Sequence, residues 1–440
     1  MKNIKYLFLF IGLFTTIGCE SFLADDINVD PNKPISVPVN AILPSIQIRL
    51  ADNYGGDFSR FNTMIAQHVE GVARQWSSFN NYSGLTPNRF DNAWETFYED
   101  VMIEAQVMIT QAEEDGYNHY AGIGKVMQAF ALMNATDVWG DIPYTESILG
   151  IENTNPAFDS QTSVIYPAIF NLLTSAIVDL AASDGGRAVG SDDVIYGGDA
   201  EKWILAAYAI AARGHLHQGD YTQALFNAQK SFVSASDNMS FTYTATKQGP
   251  WWRFNAGRTG DLEFHPTLRE MMTDLNDTDR LAKWDQTFVT SHPYLKDTYR
   301  QDLVSYREMQ FVIAECLKQT SGSSATAIET AYLNGIKASF IEAGLTEANF
   351  DTYAAQSAVN PGAGNIELND HILTQKYIGL FVQPEVFNDL RRNDFPVLTP
   401  TSGTQIPKRW NYSADELLFN SNAPAAGATT IYSPAVGWDN

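Results

Sequence analysis

The chain has 440 residues, 45% hydrophobic and 18% charged, so it can bury a large core and is not a disordered polymer. Its formal net charge of −23 repels DNA, RNA and anionic lipid headgroups, and suits uncharged partners such as neutral sugars or mixed peptides.

At the N-terminus, Lys2 and Lys5 precede the apolar run YLFLFIGLF, which is too short to span a bilayer. Residues 1–18 have the basic and hydrophobic regions of a signal peptide. The run ends in TTIGCES, where Gly18 stands directly before Cys19, as in a bacterial lipobox with Thr16 at the usual leucine position. Cys19 is the expected lipidated first residue; the alternative is an ordinary secreted protein cleaved near Gly18. Residues 19–40 form the lipid anchor and a tether, polar and proline-bearing over 22–40. No later stretch is expected to cross a membrane. With Cys19 lipidated, Cys316 has no partner, so neither a disulfide nor a cysteine-based metal site is expected. Cys316 lies in VIAECLK, a helical pattern, as a small packing residue.

Residues 41–440 read as a single, mainly α-helical binding domain. Helix-spaced apolar residues run from Ala41 to Trp76 with a break at Gly55-Gly56. Further helical patterns end at Gly116 and at Gly140, and another spans 160–183. In AEKWILAAYAIAARGHLHQGDYTQALFNAQKSF (200–232), alanines line one helix, GDY makes a turn, and Ala224 and Ala228 pack a second helix back on the first. This is the pattern of a tetratricopeptide pair, and a weaker copy runs through 307–340. Long loops are expected as insertions near 237–300 and 355–368. A helix pair is expected at 372–396, followed by a loop-like tail from Thr399. Trp94, Trp139, Trp203 and Trp284 fall in packing positions.

Catalytic motifs are missing: the sequence has no G-x-S-x-G, H-E-x-x-H, P-loop or C-x-x-C. His215 and His217 are two apart and do not share a helix face, so they make a poor metal pair. DLNDTDR (274–280) resembles an acidic calcium loop but lacks glycine at its sixth position and glutamate at its twelfth. We therefore expect no metal and no cofactor. A secreted hydrolase is the alternative class, because a pair of carboxylates can converge in space without a sequence signature.

Five stretches together carry a family resemblance: VWGDIPYTES (138–147), FDSQTSVIYPAIF (158–170), GGDAEKWILAAYAIAAR (197–213), ILTQKYIGLFVQPEVFNDLRRNDFP (372–396) and IPKRWNYSADELLFN (406–420). They resemble the SusD/RagB family, and NVDPNKP resembles the DPN opening of its SusD-like branch. The resemblance extends over essentially the whole mature chain with the order preserved. It implies a tetratricopeptide-containing helical fold and a lipoprotein held on the outer membrane and facing the exterior. It also implies a non-catalytic role as a lid over a SusC/RagA-like TonB-dependent transporter, capturing a glycan or a peptide. The fold motifs read as structural: Asp141 caps local amides, and Arg391 and Arg392 pair with carboxylates.

A carbohydrate site needs aromatic faces flanked by polar groups, carried on loops. Two stretches offer this. RQWSSFNNYSG supplies Arg74, Trp76, Asn80, Asn81 and Tyr82. KQGPWWRFNAG supplies Trp251, Trp252, Arg253 and Asn255. Of the adjacent tryptophans, one is expected to anchor the loop and the other to face ligand. The paired tryptophans and Asn-rich loops favour a neutral glycan; an oligopeptide, as for RagB-like members, is the alternative. Substituting Cys19 with alanine should abolish lipidation and release the protein from the membrane, with cell fractionation as the measurement. Full membrane retention of that variant without its transporter would remove the lipoprotein reading.

Overall fold

Helix Val39–Asn53 buries Val39, Ile42, Leu43, Ile46 and Leu50, which recur at three- and four-residue steps and so share one face. The computed structural model describes residues 37–148, 153–286, 294, 296–425 and 427–439; the leader, Cys19 and the tether as far as residue 36 lie outside the described residues. The break expected at Gly55-Gly56 is a bend. Tyr54–Phe58 forms a wider, π-type turn in which Gly56 leaves helical geometry at φ −94° and ψ −126°, and the helix resumes as Ser59–Ile65. A Cβ on Gly55 would lie 2.6 Å from the side-chain oxygen of Gln301, so a larger residue there would displace the Gln301 amide.

The second helical run ends where expected, with helix Glu104–Asp115 stopped by Gly116 at φ 75°. Helix Asn118–Trp139 is buried on every face from Tyr120 onward and forms the axis around which its neighbours pack. On it lies helix Tyr166–Ala181, and on that helix lies Ala200–His217. The segment Gln161–Ala181 has the length and apolarity of a membrane span, contrary to the sequence reading. In the fold it buries Tyr166, Ile169, Leu173, Ala176 and Leu180 and exposes Asn171 and Thr174, while its Asp179 holds Lys125 at 2.7 Å.

Both expected tetratricopeptide-like pairs form. Helix Ala200–His217 packs on Tyr221–Lys230, whose first turn is capped by the Asp220 carboxylate accepting from the amide of Gln223 at 3.0 Å. Ala224 and Ala228 are buried at the crossing. Helix Tyr306–Gln319 packs on Ala325–Glu342 in the same way.

The stretch 237–300 differs from the irregular insertion expected. Strand Met239–Thr242 pairs antiparallel with Arg300–Val304, and Leu262–Phe264 pairs with Val69–Gly71. Helices Pro250–Gly257, Pro266–Asp274 and Thr278–Trp284 lie between. Elements this short show too little periodicity to be recognised in a sequence. DLNDTDR joins two of these helices, and its Asp277 forms a buried ion pair with Arg280 at 2.5 Å. The loop at 355–368 contains one short turn and is pinned by the Tyr332 hydroxyl, which donates to the carbonyl of Val359 at 2.7 Å. The tail adds a further short helix, Ala414–Phe419.

A set of charges lies sealed in the centre. Arg213 donates to both carboxylate oxygens of Glu308 at 2.7 and 2.6 Å and lies 3.5 Å from Glu385. His217 sits between Glu385, at 2.6 Å, and Asp137, at 3.2 Å. The Tyr166 hydroxyl and the Trp438 indole both donate to Asp137, at 2.6 and 3.0 Å. Arg392 grips Glu315 at 2.6 and 3.0 Å, as the motif predicted. Arg391 departs from that reading. It donates to the carbonyls of Phe387 and Lys408 and to the Asn388 amide oxygen, and its guanidinium lies between the Phe387 and Trp438 rings.

Burial pulls the His217 imidazole toward its neutral form, but the charges of Asp137 and Glu385 outweigh burial and push its pKa up to about 9. The folded-state value lies above the ordinary 6.5, so this contribution is complete below pH 6.5 and is lost as pH rises through about 9. Tm should fall across that window, and His217→Gln should flatten the profile there, as read by thermal melts at stepped pH. Enlarging Ala224 or Ala228 to leucine should cost about 1–3 kcal/mol by overpacking the helix pair. Unchanged thermal unfolding of both variants would mean that the crossing is not tight.

Candidate functional site

The two aromatic stretches meet in space. Pairing of Val69–Gly71 with Leu262–Phe264 brings the following helix, Arg74–Asn80, against the segment after Pro250. Arg74, at φ 52°, donates from Nε to Asp261 Oδ1 at 2.6 Å and from Nη2 to the carbonyl of Thr259 at 3.2 Å. The Trp76 ring lies 4.9 Å from that of Phe254, 5.5 Å from Phe61 and 5.1 Å from Phe79.

This packing corrects the expected platform. Trp76 is 2% exposed and Tyr82 is 5% exposed, because both rings fill the joint between the helices and the tail. The Tyr82 hydroxyl accepts from the amide of Thr401, so it turns toward the tail and not toward the paired tryptophans. Asn81 is occupied locally, its Oδ1 accepting from the amide and hydroxyl of Ser83.

The WW pair sits on a helix. Gly249 is extended, Pro250 opens the first turn with its fixed φ, and the helix runs to Gly257. A Cβ on Gly249 would lie 2.0 Å from the Tyr299 ring, so only glycine passes there. At about 100° per residue, positions four apart share a face. Trp251 and Asn255 turn inward: Trp251 is 1% exposed and donates from Nε1 to Ser59 Oγ at 3.2 Å. Trp252 turns outward and is half-buried, flanked by the exposed Arg253. Rotation about the helix thus anchors Trp251 in the joint and leaves Trp252 partly open.

Pro250, Arg253 and Phe254, on the remaining face, border a cleft of about 400 Å³ whose opposite wall is the bend at Asn53–Arg60. Asp52 organises it. One carboxylate oxygen holds Lys247 Nζ at 2.5 Å and Arg253 Nη2 at 3.1 Å, and the other accepts from the Tyr243 hydroxyl at 3.0 Å. Burial, with the nearby Tyr299 and Asp52, pushes the Tyr243 phenol well above its ordinary range, which keeps it a donor. Asp57 fixes Arg60 at 2.7 Å, and the Arg60 guanidinium lies 4.7 Å over the Phe254 ring. The Asn53 amide nitrogen is buried with no hydrogen-bond partner among the described residues, a free donor at the cleft wall. The cleft thus offers charged and amide groups beside an aromatic edge, a set suited to hydroxyl-bearing ligands.

Sequence reasoning missed Arg49, Asp52, Asn53, Asp57 and Arg60, which lie in a stretch assigned to core helix. A signal was present: RLADN places three polar residues at positions 49, 52 and 53, on one face, directly before Gly-Gly.

A family model for SusD-like proteins, described as "starch-binding associating with outer membrane", matches residues 31–294 and 282–413. The chain belongs to this SusD-like family. Comparison with curated proteins gives no match. Among solved structures, a SusD/RagB family protein from Bacteroides thetaiotaomicron superposes with a TM-score of 0.78 at 23% identity, covering 92% of this chain and 99% of that one. A chitin-binding SusD homolog from Flavobacterium johnsoniae superposes at 0.70 and 18% identity, covering 91% and 98%. A further chitin-binding protein gives 0.74 and 21%, covering 91% and 100%. At these identities the agreement is one of fold, and it extends over nearly the whole SusD-like chain.

Because Trp251 fills the joint, Trp251→Ala should destabilise the protein by about 3–5 kcal/mol. Trp252→Ala should leave the thermal midpoint within the scatter of surface substitutions. Equal loss in both variants, read by chemical denaturation, would show that Trp252 is also a packing residue.

Proposed function

We propose that this SusD-like protein is a non-catalytic surface lipoprotein that captures a neutral oligosaccharide and delivers it to a SusC-like TonB-dependent transporter. Its anchor is Cys19, and it faces the cell exterior on the outer membrane. The observation that carries the ligand class is the cleft rich in polar groups that Arg253 and Phe254 line, with the half-buried indole of Trp252 on another face of the same helix. An indole face packs on the C–H face of a sugar, and the groups around Asp52 and Asn53 answer its hydroxyls. The family description and the two chitin-binding neighbours favour the same class. A non-catalytic role is favoured by where acid and base converge: His217, Asp137 and Glu385 meet inside the core, out of a substrate's reach.

Arg74 and Arg253 are retained as ligand-facing candidates because both are exposed; Asn81 is retained as a more distant polar contact. Trp76, Tyr82 and Trp251 act from behind, holding this surface in place.

Calorimetric titration with a panel of starch, chitin and other neutral oligosaccharides tests the proposal. Trp252→Ala should weaken the cognate ligand by about 2 kcal/mol, roughly thirtyfold. Wild-type affinity in that variant would move the site elsewhere. Binding of oligopeptides in place of every glycan would replace the ligand class.

A further inference from the structure

A second cavity, of about 520 Å³, opens beside the last residues of helix Glu385–Asn393 and is roofed by the tail. It shares no lining residue with the cleft at Asp52. Its walls are apolar: Leu390, Val397, Ile406, Pro407 and Tyr432 line it. Val397, at its mouth, is 91% exposed, an unusual state for a valine of a folded chain.

Its polar lining groups are Arg391, Lys408, Gln405 and, at the rim, Asp394. Arg391 lines the cavity and is 3% exposed. It forms no salt bridge with a described residue. Its side-chain bonds go to two carbonyls and one amide oxygen, which takes one hydrogen from each nitrogen. A guanidinium carries five, so one hydrogen remains on each terminal nitrogen for a further acceptor. Burial lowers the Arg391 pKa to about 10, with Asp137, Asp439 and Glu385 acting in the opposite direction, so the group stays charged at neutrality. Lys408 is the second cation at this cavity, 38% exposed, loosely paired at 3.6 Å with Asp394 and at 3.3 Å with Asp439. Asp394 is itself 89% exposed, so water screens its charge. Two cations line the cavity against one rim carboxylate, in a chain of net charge −23.

We propose that this cavity binds a small organic carboxylate with an apolar body, its carboxylate toward Arg391 and Lys408 and its body along Ile406, Pro407 and Tyr432. A desolvated guanidinium with no carboxylate bonded directly to it favours an anion, and the apolar walls disfavour heavily hydrated ions such as phosphate. A volume in the range of small-molecule sites accommodates an acyl chain or the carboxy-terminal residue of a peptide.

The test uses the mature chain and two probe acids, octanoate and N-acetyl-leucine, each against its neutral amide, by titration calorimetry and ligand-observed magnetic resonance. At least one acid should bind about tenfold more tightly than its amide. Whichever acid binds identifies the source of the ligand, acyl chain or peptide end. Lys408→Gln should weaken the acid about fivefold, and Ile406→Glu, which places a negative charge in the cavity, should abolish binding. These two variants carry the test because Arg391 holds the tail to the core and its replacement can unfold the protein. Trp252→Ala should leave acid binding unchanged, which separates this cavity from the glycan site. Equal binding of acid and amide, or no binding of either acid at about 10 mM, overturns the proposal.

Discussion

The fold rests on a group of charges withdrawn from water. Arg213, Glu308, Glu385, His217 and Asp137 come from four different helices and are all buried. Each charge alone would cost several kcal/mol to desolvate, so none can be buried until its partners arrive. Such a network contributes little net stability compared with an apolar core of the same volume. What it supplies is register: helices 118–139, 200–217, 306–319 and 385–393 can each dock in one axial position, the one that completes the pairs. The alanine-lined crossings then set how closely the helices approach.

The candidate glycan surface depends on this frame at one remove. Helix Ser59–Ile65 packs on helix Glu385–Asn393, which brings Glu385 and Asn388 to the central charges. Ser59 receives the Trp251 indole, and Phe61 receives Trp76. Aromatic side chains thus pass position outward, from the charge network to the helix Pro250–Gly257 and finally to Trp252. The bend at Gly55-Gly56 turns Asp52 and Asn53 to face that helix, so the cleft exists because one helix is interrupted and another is held opposite the interruption.

Much of this was legible in the chain. The long helices announce themselves through apolar spacing and glycine stops, as at Gly116 and Gly140, and the alanines of 203–228 identify a close pair. The short elements of 237–300 did not, since strands of three to five residues and helices of seven to nine carry too little period. The site was half legible. The candidate cleft adjoins the WW stretch, and the unequal burial of the pair was expected from residue type. The burial of Trp76 and Tyr82 did not, because an aromatic flanked by asparagine and serine has the same local sequence whether it plugs a joint or meets a ligand. The cleft wall stayed hidden for a different reason: Asp52 pairs with Lys247 and Arg253, about two hundred positions away, and such pairings leave no local trace. Arg391 misled in the same way, since its lack of a carboxylate is a property of its surroundings.

The bond from Trp438 to Asp137 joins positions 301 apart in the chain. A polypeptide emerging N-terminus first therefore presents Asp137, Tyr166 and His217 long before their last partner exists. Contacts of such long range close late and slowly. The early helices can form and pair locally, but the centre stays open to water until the tail arrives. The segment that emerges first remains loosely assembled and cannot lock around an incomplete core, so commitment to the native state coincides with completion of nearly the entire chain.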